Sequence, residues 1–417
     1  MGSRIVKLNL FKIVFYLIII AILIDSETMY RHLTNSPLFG GGFGWAMGFT
    51  CLLYVCMSTT IKIDSKLSVR LPLLLIVLLV YIALSQYNVQ RFLVGFVGIF
   101  FCMYFLSYFL HRKNQMQDFL KAFSNIMLFI ACISLFFWLF GSILNILPGR
   151  ITTTYYWADR IRTTYTYYYI YFENPTQNLV HNTICNLGIF VESPGYSGFL
   201  TYGLLVELLT RKSFSSKKEL KLSTFKIAIY VVTLITTNST KGVLAVMIAL
   251  FIEYMFKDVK HSYNFVIKLV LGGVLLFIIA IAGTIIVENK LATSSGIVRM
   301  DDMLAGLRTF AQNPILGAGY ENVDAIIRNQ LVSRGNKGLS MGITTLMAYG
   351  GLWLSCFYIG AVILSFKNTH STEQRKKWFL VCTVLVYNLF VSNSGLSDPY
   401  IFIVAAAYSA PTALKNK

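Results

Sequence analysis

Charged residues are scarce in this chain. They make up 13% of its 417 residues, whereas soluble domains contain about 25%, and apolar residues rise to 56%. This balance excludes a soluble globular fold, and it also excludes a disordered chain, which would need high charge and few apolar residues. The seven cysteines are odd in number and form no C-x-x-C pair, so neither a disulfide framework nor a cysteine metal site is indicated.

Long apolar runs are abundant instead, and they predict an all-α polytopic integral membrane protein with about 12 transmembrane helices. A helix that crosses a bilayer needs about 20 mostly apolar residues. The short polar stretch between the seventh and eighth runs predicts a tight hairpin or a re-entrant pair. The runs cover residues 8–24, 40–58, 71–86, 92–110, 119–142, 194–210, 226–238, 242–256, 264–287, 341–366, 378–392 and 399–411.

The segments that connect these runs are alternately rich and poor in lysine and arginine. Cytoplasmic segments of membrane proteins carry the excess of both residues. With the N-terminus inside, the inner segments hold 24 of the 36 basic residues and the outer segments hold 12. The sequence therefore predicts a multi-pass protein with both termini in the cytoplasm. The net charge of +18 is then a topology signal, and no nucleic-acid partner is expected.

The type of basic residue also differs between the two sides. Inner segments contain nineteen lysines and five arginines, whereas outer segments contain nine arginines and three lysines. Orientation needs only positive charge, but a guanidinium binds phosphate or carboxylate through two parallel hydrogen bonds. An anionic ligand on the outer face is therefore expected, with ion pairs to acidic residues of the same loops as the alternative for any one arginine.

Two predicted outer loops are long enough to carry structure of their own. Connections longer than about 12–15 residues are uncommon in compact domains and are usually functional. The chain is thereby divided into five parts. These are an N-terminal five-helix membrane segment at 1–142, a first large outer loop at 143–193, central helices with a short hairpin at 194–287, a second large outer loop at 288–340 and C-terminal helices at 341–417.

The first outer loop contains a near-repeat, RITTTYYW at 150–157 and RIRTTYTY at 160–167. Threonine and tyrosine favour strands, and Ala158-Asp159 suits a turn, so a short β-hairpin is predicted. Its tyrosines and arginines fit either an interfacial aromatic belt or a platform on which the sugar rings of an acidic glycan stack. The predicted substrate-binding residues of this hairpin are Arg150, Arg160, Arg162, Tyr165 and Tyr168.

The same loop ends with GIFVESPGYSGFL at 188–200, which leads into a predicted span. Glu192 lies at the membrane boundary, where an ionisable side chain is costly and is a functional candidate by default. Ser193 and Pro194 predict an N-cap and a first helical residue, which would place the carboxylate beside the positive end of a helix. Glu192 is therefore predicted to be catalytic, with a purely structural carboxylate as the alternative.

The second outer loop carries SSGIVRMDDMLAGLRTFAQNPILGAGYEN at 294–322. Apolar residues at helical spacing, followed by Asn313-Pro314, predict an amphipathic helix that lies on the outer face and ends there. Arg299 and Arg308 are nine residues apart on it and lie on roughly opposite sides. The helix alone therefore cannot direct both at one group, and their predicted catalytic role is implied by the family resemblance described next.

Three ordered motifs resemble the bacterial O-antigen and capsular polysaccharide polymerases (Wzy type) and the related O-antigen ligases. The first is GIF-x-E-x-PG-Y at 188–196, which contains Glu192 and Tyr196. The second is STKG at 239–242, which contains Lys241. The third runs from Arg299 to Asn322 and ends in NP-x-LG-x-GY-x-N. The resemblance covers about residues 185–365, and it marks Tyr196 and Lys241 as further substrate-binding residues.

The resemblance implies a glycosyltransferase that uses neither a metal nor another cofactor. Such an enzyme acts on undecaprenyl-diphosphate-linked oligosaccharides at the outer face of the bacterial inner membrane, and it joins repeat units into O-antigen or capsular polysaccharide. The lipid bilayer, a flippase and a chain-length regulator are the implied partners. The chemistry agrees independently, because arginines stabilise a departing diphosphate and a carboxylate accepts the proton of an acceptor hydroxyl.

Other interpretations remain open at this point. An O-antigen ligase, which transfers glycan to lipid A core, is the first alternative. It is weakened because a His-Asn pair found in ligases has no counterpart in Leu339–Gly342. A second departure, from the family as a whole, is Cys185, which stands where the family often has arginine. A flippase or secondary transporter is the second alternative. Asp25 and Glu27 also resemble the acidic pair of metal-dependent lipid-linked glycosyltransferases, or else belong to an ordinary solvated loop. Separately, the sequence does not identify which carboxylate acts as the base.

Overall fold

The computed structural model describes residues 10–34, 43–56, 65–85, 87–157, 160–173, 184–211, 216–256, 262–291, 294–332, 339–369, 371–393 and 396–410. The chain is predominantly helical, and each of the twelve apolar runs coincides with a helix. The helices are α1 (Leu10–Asp25), α2 (Met29–His32), α3 (Phe43–Cys56), α4 (Ser65–Ser85), α5 (Val89–Arg112), α6 (Met116–Ile143), α7 (Ser193–Thr210), α8 (Lys217–Thr236), α9 (Thr240–Phe256), α10 (Ser262–Leu291), α11 (Ser294–Gln312), α12 (Val323–Ile327), α13 (Gly342–Lys367), α14 (Thr372–Val391) and α15 (Asp398–Ser409).

Within the described residues, three helices are long and apolar enough to cross a membrane by length and composition, namely α5, α6 and α13. Large apolar side chains also point away from the protein along other helices. On α10, for example, Val270 is 60% exposed and Phe277 is 66% exposed. Contiguous exposed apolar surface of this kind is rare in soluble monomers and is typical of a helix that meets lipid.

The near-repeat of the first loop forms the predicted hairpin. Strand β1 (Arg150–Trp157) pairs antiparallel with β2 (Arg160–Tyr167), and a third strand, β3 (Tyr171–Glu173), adds to the other edge of β2. The predicted turn at 158–159 lies outside the described residues. The sheet packs on the chain after α1 through a small core made by Met29, Tyr155, Phe172 and Val191.

The segment that precedes α7 pairs with the segment that follows α1. Thr28 and Phe190 form an antiparallel bridge, and the amide of Val191 donates to the carbonyl of Glu27 at 3.1 Å. This pairing keeps the backbone extended through Glu192, which is therefore the N-cap of α7. The prediction that Ser193 is the N-cap was wrong by one residue, since Ser193 already begins the helix and Pro194 is its second residue.

The predicted hairpin between the seventh and eighth runs is confirmed, because α8 ends at Thr236 and α9 begins at Thr240. Asn238 turns the chain with a positive φ of 49°. The amide of Asn186 donates to the carbonyl of Thr236 at 2.9 Å, which fastens this hairpin to the chain in front of α7. The hairpin therefore carries Lys241 to the start of α7.

The second loop folds into more than a surface helix. Helix α11 ends at Gln312, as the Asn313-Pro314 pair predicts, and the chain after it inserts into a break in α13. At the break Gly351 has φ 56° and ψ −150°, and the amide of Leu352 donates to the carbonyl of Pro314 at 2.8 Å. The amide of Ala318 likewise donates to a carbonyl of α13, at 2.7 Å. The inserted chain thus satisfies backbone groups that the broken helix leaves open.

Candidate functional site

A polar cavity of about 520 Å³ lies where the ends of several helices meet. Helices α1 and α14 end at it, and α7, α9 and α15 begin at it. An exceptional number of ionisable side chains line it. They are Asp25, Glu27, Arg31, His32, Arg91, Glu192, Lys241, Arg299, Glu321 and Asp398. The cavity therefore collects residues from almost the whole length of the sequence.

Three helix N-termini face this cavity, those of α7, α9 and α15. Each carries a partial positive charge and unpaired backbone amides, which favour a bound anion. Lys241 and Arg299 add full positive charges at the same place. By contrast, Arg91 is 3.5 Å from Glu321 and Arg31 is 3.7 Å from Asp25, so these two arginines are partly neutralised by ion pairs.

Glycines on the first turns of α7 let two charged side chains approach its backbone. A Cβ at Gly195 would lie 2.6 Å from Oε2 of Glu27, and a Cβ at Gly198 would lie 3.1 Å from Nζ of Lys241. Residues three apart share one face of a helix. The carboxylate and the ammonium therefore lie side by side on the same face of α7, where larger side chains would displace both.

Lys241 and Arg299 are held in place by α14. Nζ of Lys241 donates to Oγ of Ser392 at 2.8 Å, and Nη1 of Arg299 donates to the carbonyl of Val391 at 2.6 Å. The two cations thus bind neighbouring residues at the end of one helix. Each of them keeps further donors for an anion, because an ammonium has three N–H groups and a guanidinium has five.

Glu192 lies at the start of α7, next to the tip of the hairpin. Nε1 of Trp157 donates to its Oε1 at 2.8 Å, and the ring of His32 meets the Trp157 ring edge-on at 4.7 Å. The Glu192 side chain makes no capping hydrogen bond to α7. Among the described residues its second carboxylate oxygen has no hydrogen-bond donor, so that oxygen is available to a ligand.

Burial changes the protonation of two groups at this site. It raises the pKa of Glu27 above its usual value, and the nearby Glu192 carboxylate acts in the same direction, while Lys241 and Arg31 oppose it. Burial, assisted by Arg31, lowers the pKa of His32 to about 4. His32 is therefore neutral at pH 7 and adds no charge to the cavity.

The predicted substrate-binding residues of the sheet lie outside the cavity. Arg150 pairs with Glu173 at 2.7 Å and covers the Tyr165 ring at 4.0 Å, at the end of β1 about 23 Å from Trp157. Arg162 lies across from Tyr155 and hydrogen-bonds its hydroxyl.

The remaining predicted residues of the sheet lie on its surface. Arg160 pairs in register with Trp157 at the hairpin tip, beside the cavity, and Tyr168 is 56% exposed. The tyrosines do not form one platform, since some are buried while others face out. The glycan-binding role of this sheet stays a prediction.

Tyr196 and Arg308 also lie away from the cavity. Tyr196 is fully buried, its hydroxyl hydrogen-bonds Oγ of Ser134 at 2.7 Å, and its ring stacks on Phe190 at 5.2 Å. Arg308 donates to the carbonyl of Asn329 at 2.9 Å. The buried position of Tyr196 is explained by the packing of α7, and the hydrogen bond of Arg308 anchors the chain after α12. Of the three predicted catalytic residues, the cavity brings together Glu192 and Arg299.

Sequence reasoning missed several residues of the cavity. Glu27 stood out only as part of a weak acidic pair, and Trp157, Ser392 and Asp398 were not singled out. Asp398 is buried, and one of its carboxylate oxygens has no hydrogen-bond partner within the described residues. An Asp-Pro pair at the start of an apolar run was the available signal, because this pair commonly begins a helix.

Within the part of the chain that the structure describes, no group of three or more His, Cys, Asp or Glu side chains is arranged to hold a metal ion. This includes the ionisable groups of the cavity. All seven cysteines are free. Comparisons of the chain with protein-family models, with curated proteins and with solved structures found no match.

Proposed function

We propose that this chain is a bacterial inner-membrane polysaccharide polymerase that joins undecaprenyl-diphosphate-linked repeat units on the outer face of the membrane. The observation that supports this proposal most is the cavity, which Lys241, Arg299 and three helix N-termini line together with the carboxylates of Glu27 and Glu192. An anionic leaving group and a hydroxyl acceptor need this combination of charges. The proposal includes twelve spans and both termini in the cytoplasm.

In the proposed reaction the acceptor hydroxyl attacks the anomeric carbon of the donor sugar. The bond from that carbon to the diphosphate breaks, and the electron pair leaves with the diphosphate oxygen. Lys241 and Arg299 stabilise the negative charge that develops there. A cavity carboxylate takes the proton of the hydroxyl, and Glu192 contacts the acceptor sugar.

A second cavity supports a lipid-linked substrate. Its volume is about 310 Å³, its lining is mainly apolar, and Tyr202 lines both this cavity and the polar one. Pro399 lines the apolar cavity, and the preceding residue, Asp398, lines the polar one. A diphosphate in the polar cavity could therefore carry a hydrocarbon chain into the adjoining apolar space, which a water-soluble sugar donor would not fill.

The polymerase is tested with the purified full chain in proteoliposomes, supplied with lipid-linked oligosaccharides extracted from the cells that carry it natively. We expect a ladder of glycans spaced by one repeat unit, and we expect the ladder to persist in EDTA because Lys241 and Arg299 supply the positive charge. Glycan that appears only on added lipid A core would support the ligase instead. Movement of the oligosaccharide across the vesicle without elongation would support the transporter.

The topology is tested by cysteine labelling from outside intact spheroplasts, in a background that lacks the seven native cysteines. Thr163→Cys on the exposed side of β2 and Lys337→Cys, which lies outside the described residues, should both react with a membrane-impermeant maleimide. Glu219→Cys, at the exposed start of α8, is the inner control and should react only after permeabilisation. Protection of both outer sites would contradict the topology and most of the mechanism.

A further inference from the structure

The position of Glu27 is set by backbone pairing between the segment after α1 and the segment before α7. The amide of Met29 donates to the carbonyl of Ile189 at 2.8 Å, and the carbonyl of Glu27 accepts from the amide of Val191 at 3.1 Å. These bonds place Glu27 beside the last extended residues before α7, and hence beside Glu192. Two carboxylates that are far apart in the sequence therefore face the same polar cavity.

Their surroundings differ in a way that separates their roles. Oε1 of Glu192 accepts a hydrogen bond from Trp157, whereas within the described residues the Glu27 carboxylate accepts none. Glu27 also lies against the backbone of α7 at Gly195 and next to Lys241. The Glu27 carboxylate thus has no hydrogen-bond donor within the described residues, and burial raises its pKa, so it is suited to accept a proton.

We propose that Glu27 is the general base that takes the proton of the acceptor hydroxyl, while Glu192 and Trp157 hold the acceptor sugar. This inference rests on the proposed polymerase function. As the hydroxyl oxygen forms its bond to the anomeric carbon, its proton moves to the Glu27 carboxylate, and the diphosphate departs with the electron pair of the broken bond. The resulting carboxylic acid returns the proton to water in the open cavity, which regenerates the base.

Lys241 completes the arrangement from the same face of α7. It is close enough to Glu27 to favour the ionised carboxylate, and it faces the departing diphosphate. In the proposed reaction Lys241 thus interacts with both the general base and the departing diphosphate. The charged and titratable groups that line the cavity with Glu27 are Asp25, Arg31, His32, Arg91, Glu192, Tyr202, Lys241, Arg299, Glu321, Tyr349 and Asp398.

The test compares Glu27→Gln with Glu192→Gln in the proteoliposome assay, with the lipid-linked oligosaccharides of the native cells as substrate. Both changes preserve size and remove one carboxylate. We expect Glu27→Gln to lower the elongation rate by about 10²- to 10⁴-fold, the usual contribution of general base catalysis. Glu192→Gln should cost about tenfold, because its amide oxygen can still accept from Trp157 while the charge is lost.

The pH dependence separates a base from a structural carboxylate. A base acts in its deprotonated form, so the wild-type rate should rise with pH through the pKa of Glu27, which lies above the usual glutamate value. Glu192→Gln should keep this acid limb, and Glu27→Gln should remove it. Loss of the limb in Glu192→Gln alone, or a wild-type rate in Glu27→Gln at normal abundance, would overturn the inference.

Gly195→Ala provides an independent measurement. Its Cβ would lie 2.6 Å from the Glu27 carboxylate, so the carboxylate must shift. A shift of this size should lower the rate by roughly 10- to 100-fold in the wild type. It should have no further effect when Glu27 is already Gln, since the group that it displaces is then inactive. Equal effects of Gly195→Ala in both backgrounds would contradict the role of Glu27.

A folding defect is distinguished by chemical rescue. If the Glu27→Gln protein is absent from the membrane, Glu27→Ala is assayed with added formate, which supplies a carboxylate where the side chain has been removed. Restored elongation supports the inference. Absence of rescue in a membrane-inserted Glu27→Ala protein counts against it. A wild-type chain that makes no polymer overturns the proposed function itself, whereas active wild type with an unaffected Glu27→Gln overturns only this inference.

Discussion

Replacement of Arg299 by lysine is expected to lower the elongation rate about 10²-fold although the positive charge is retained. Arg299 uses one N–H for the carbonyl of Val391 at 2.6 Å, which leaves the other arm of its planar fork for the cavity. An ammonium cannot bind Val391 and present the same two-point geometry to a diphosphate. Removing a single donor to a developing negative charge commonly costs about 10²- to 10³-fold.

The control for this experiment is Arg375→Lys, at the exposed start of α14, the end of that helix opposite to Val391. It makes the same chemical change far from the cavity and should leave the ladder unchanged. The rate is measured per molecule of protein in the membrane, at saturating and at limiting donor concentrations. Full activity of Arg299→Lys would mean that this residue acts only as a charge or as a packing contact, and the diphosphate site would then have to be sought elsewhere.

Gly351→Ala is expected to remove most of the protein from the membrane. Gly351 has φ 56° and ψ −150°, a combination available essentially to glycine alone, and forcing another residue into such a conformation costs about 1–3 kcal/mol. A Cβ there would also lie 2.5 Å from the amide of Gly317 and from the carbonyl of Ile315. Overpacking against rigid backbone adds about 1–3 kcal/mol, a large part of a total stability of about 5–15 kcal/mol.

The effect should reach the cavity as well. The inserted chain at 313–322 contains Glu321 and is followed by Val323, and both residues line the cavity. Tyr349, two residues before the break in α13, lines it as well. We therefore expect the protein that remains to have lower activity and a lower melting temperature. Gly273→Ala is the matched control, because no atom lies within 4 Å of its added Cβ. A normal melting curve for Gly351→Ala would show that the break in α13 is not maintained by this glycine.

The local features of the fold were predicted correctly because their causes are local. Apolar runs of helical length, the Thr-Tyr repeat and the Asn-Pro pair each fix the conformation of the residues that contain them. The hairpin that carries Lys241 was predicted for the same reason, from a short polar stretch between two apolar runs. The single error at the N-cap of α7 arose because a bridge to Thr28, about 160 residues earlier, extends the backbone by one more residue.

The site itself was only partly predictable. Glu192 and Arg299 stood out because each breaks a local rule, a carboxylate at a membrane boundary and an arginine on the disfavoured side. Arg308 breaks the same rule as Arg299, yet its guanidinium donates to the carbonyl of Asn329. Helical spacing had already placed it on roughly the opposite side from Arg299, but only packing shows which of the two sides faces a cavity.

The sequence by itself determined the helical, apolar character of the chain, the hairpins and the expectation of an anionic ligand, since composition and short-range spacing carry that information. The tertiary structure alone decided that Glu27 faces Glu192, that Trp157 binds Glu192 and that Ser392 holds Lys241. These contacts join segments from 35 to 165 residues apart. Such pairs leave no periodic trace in the sequence, because their geometry depends on how whole helices pack, and on glycines that let charged side chains reach the helix backbone.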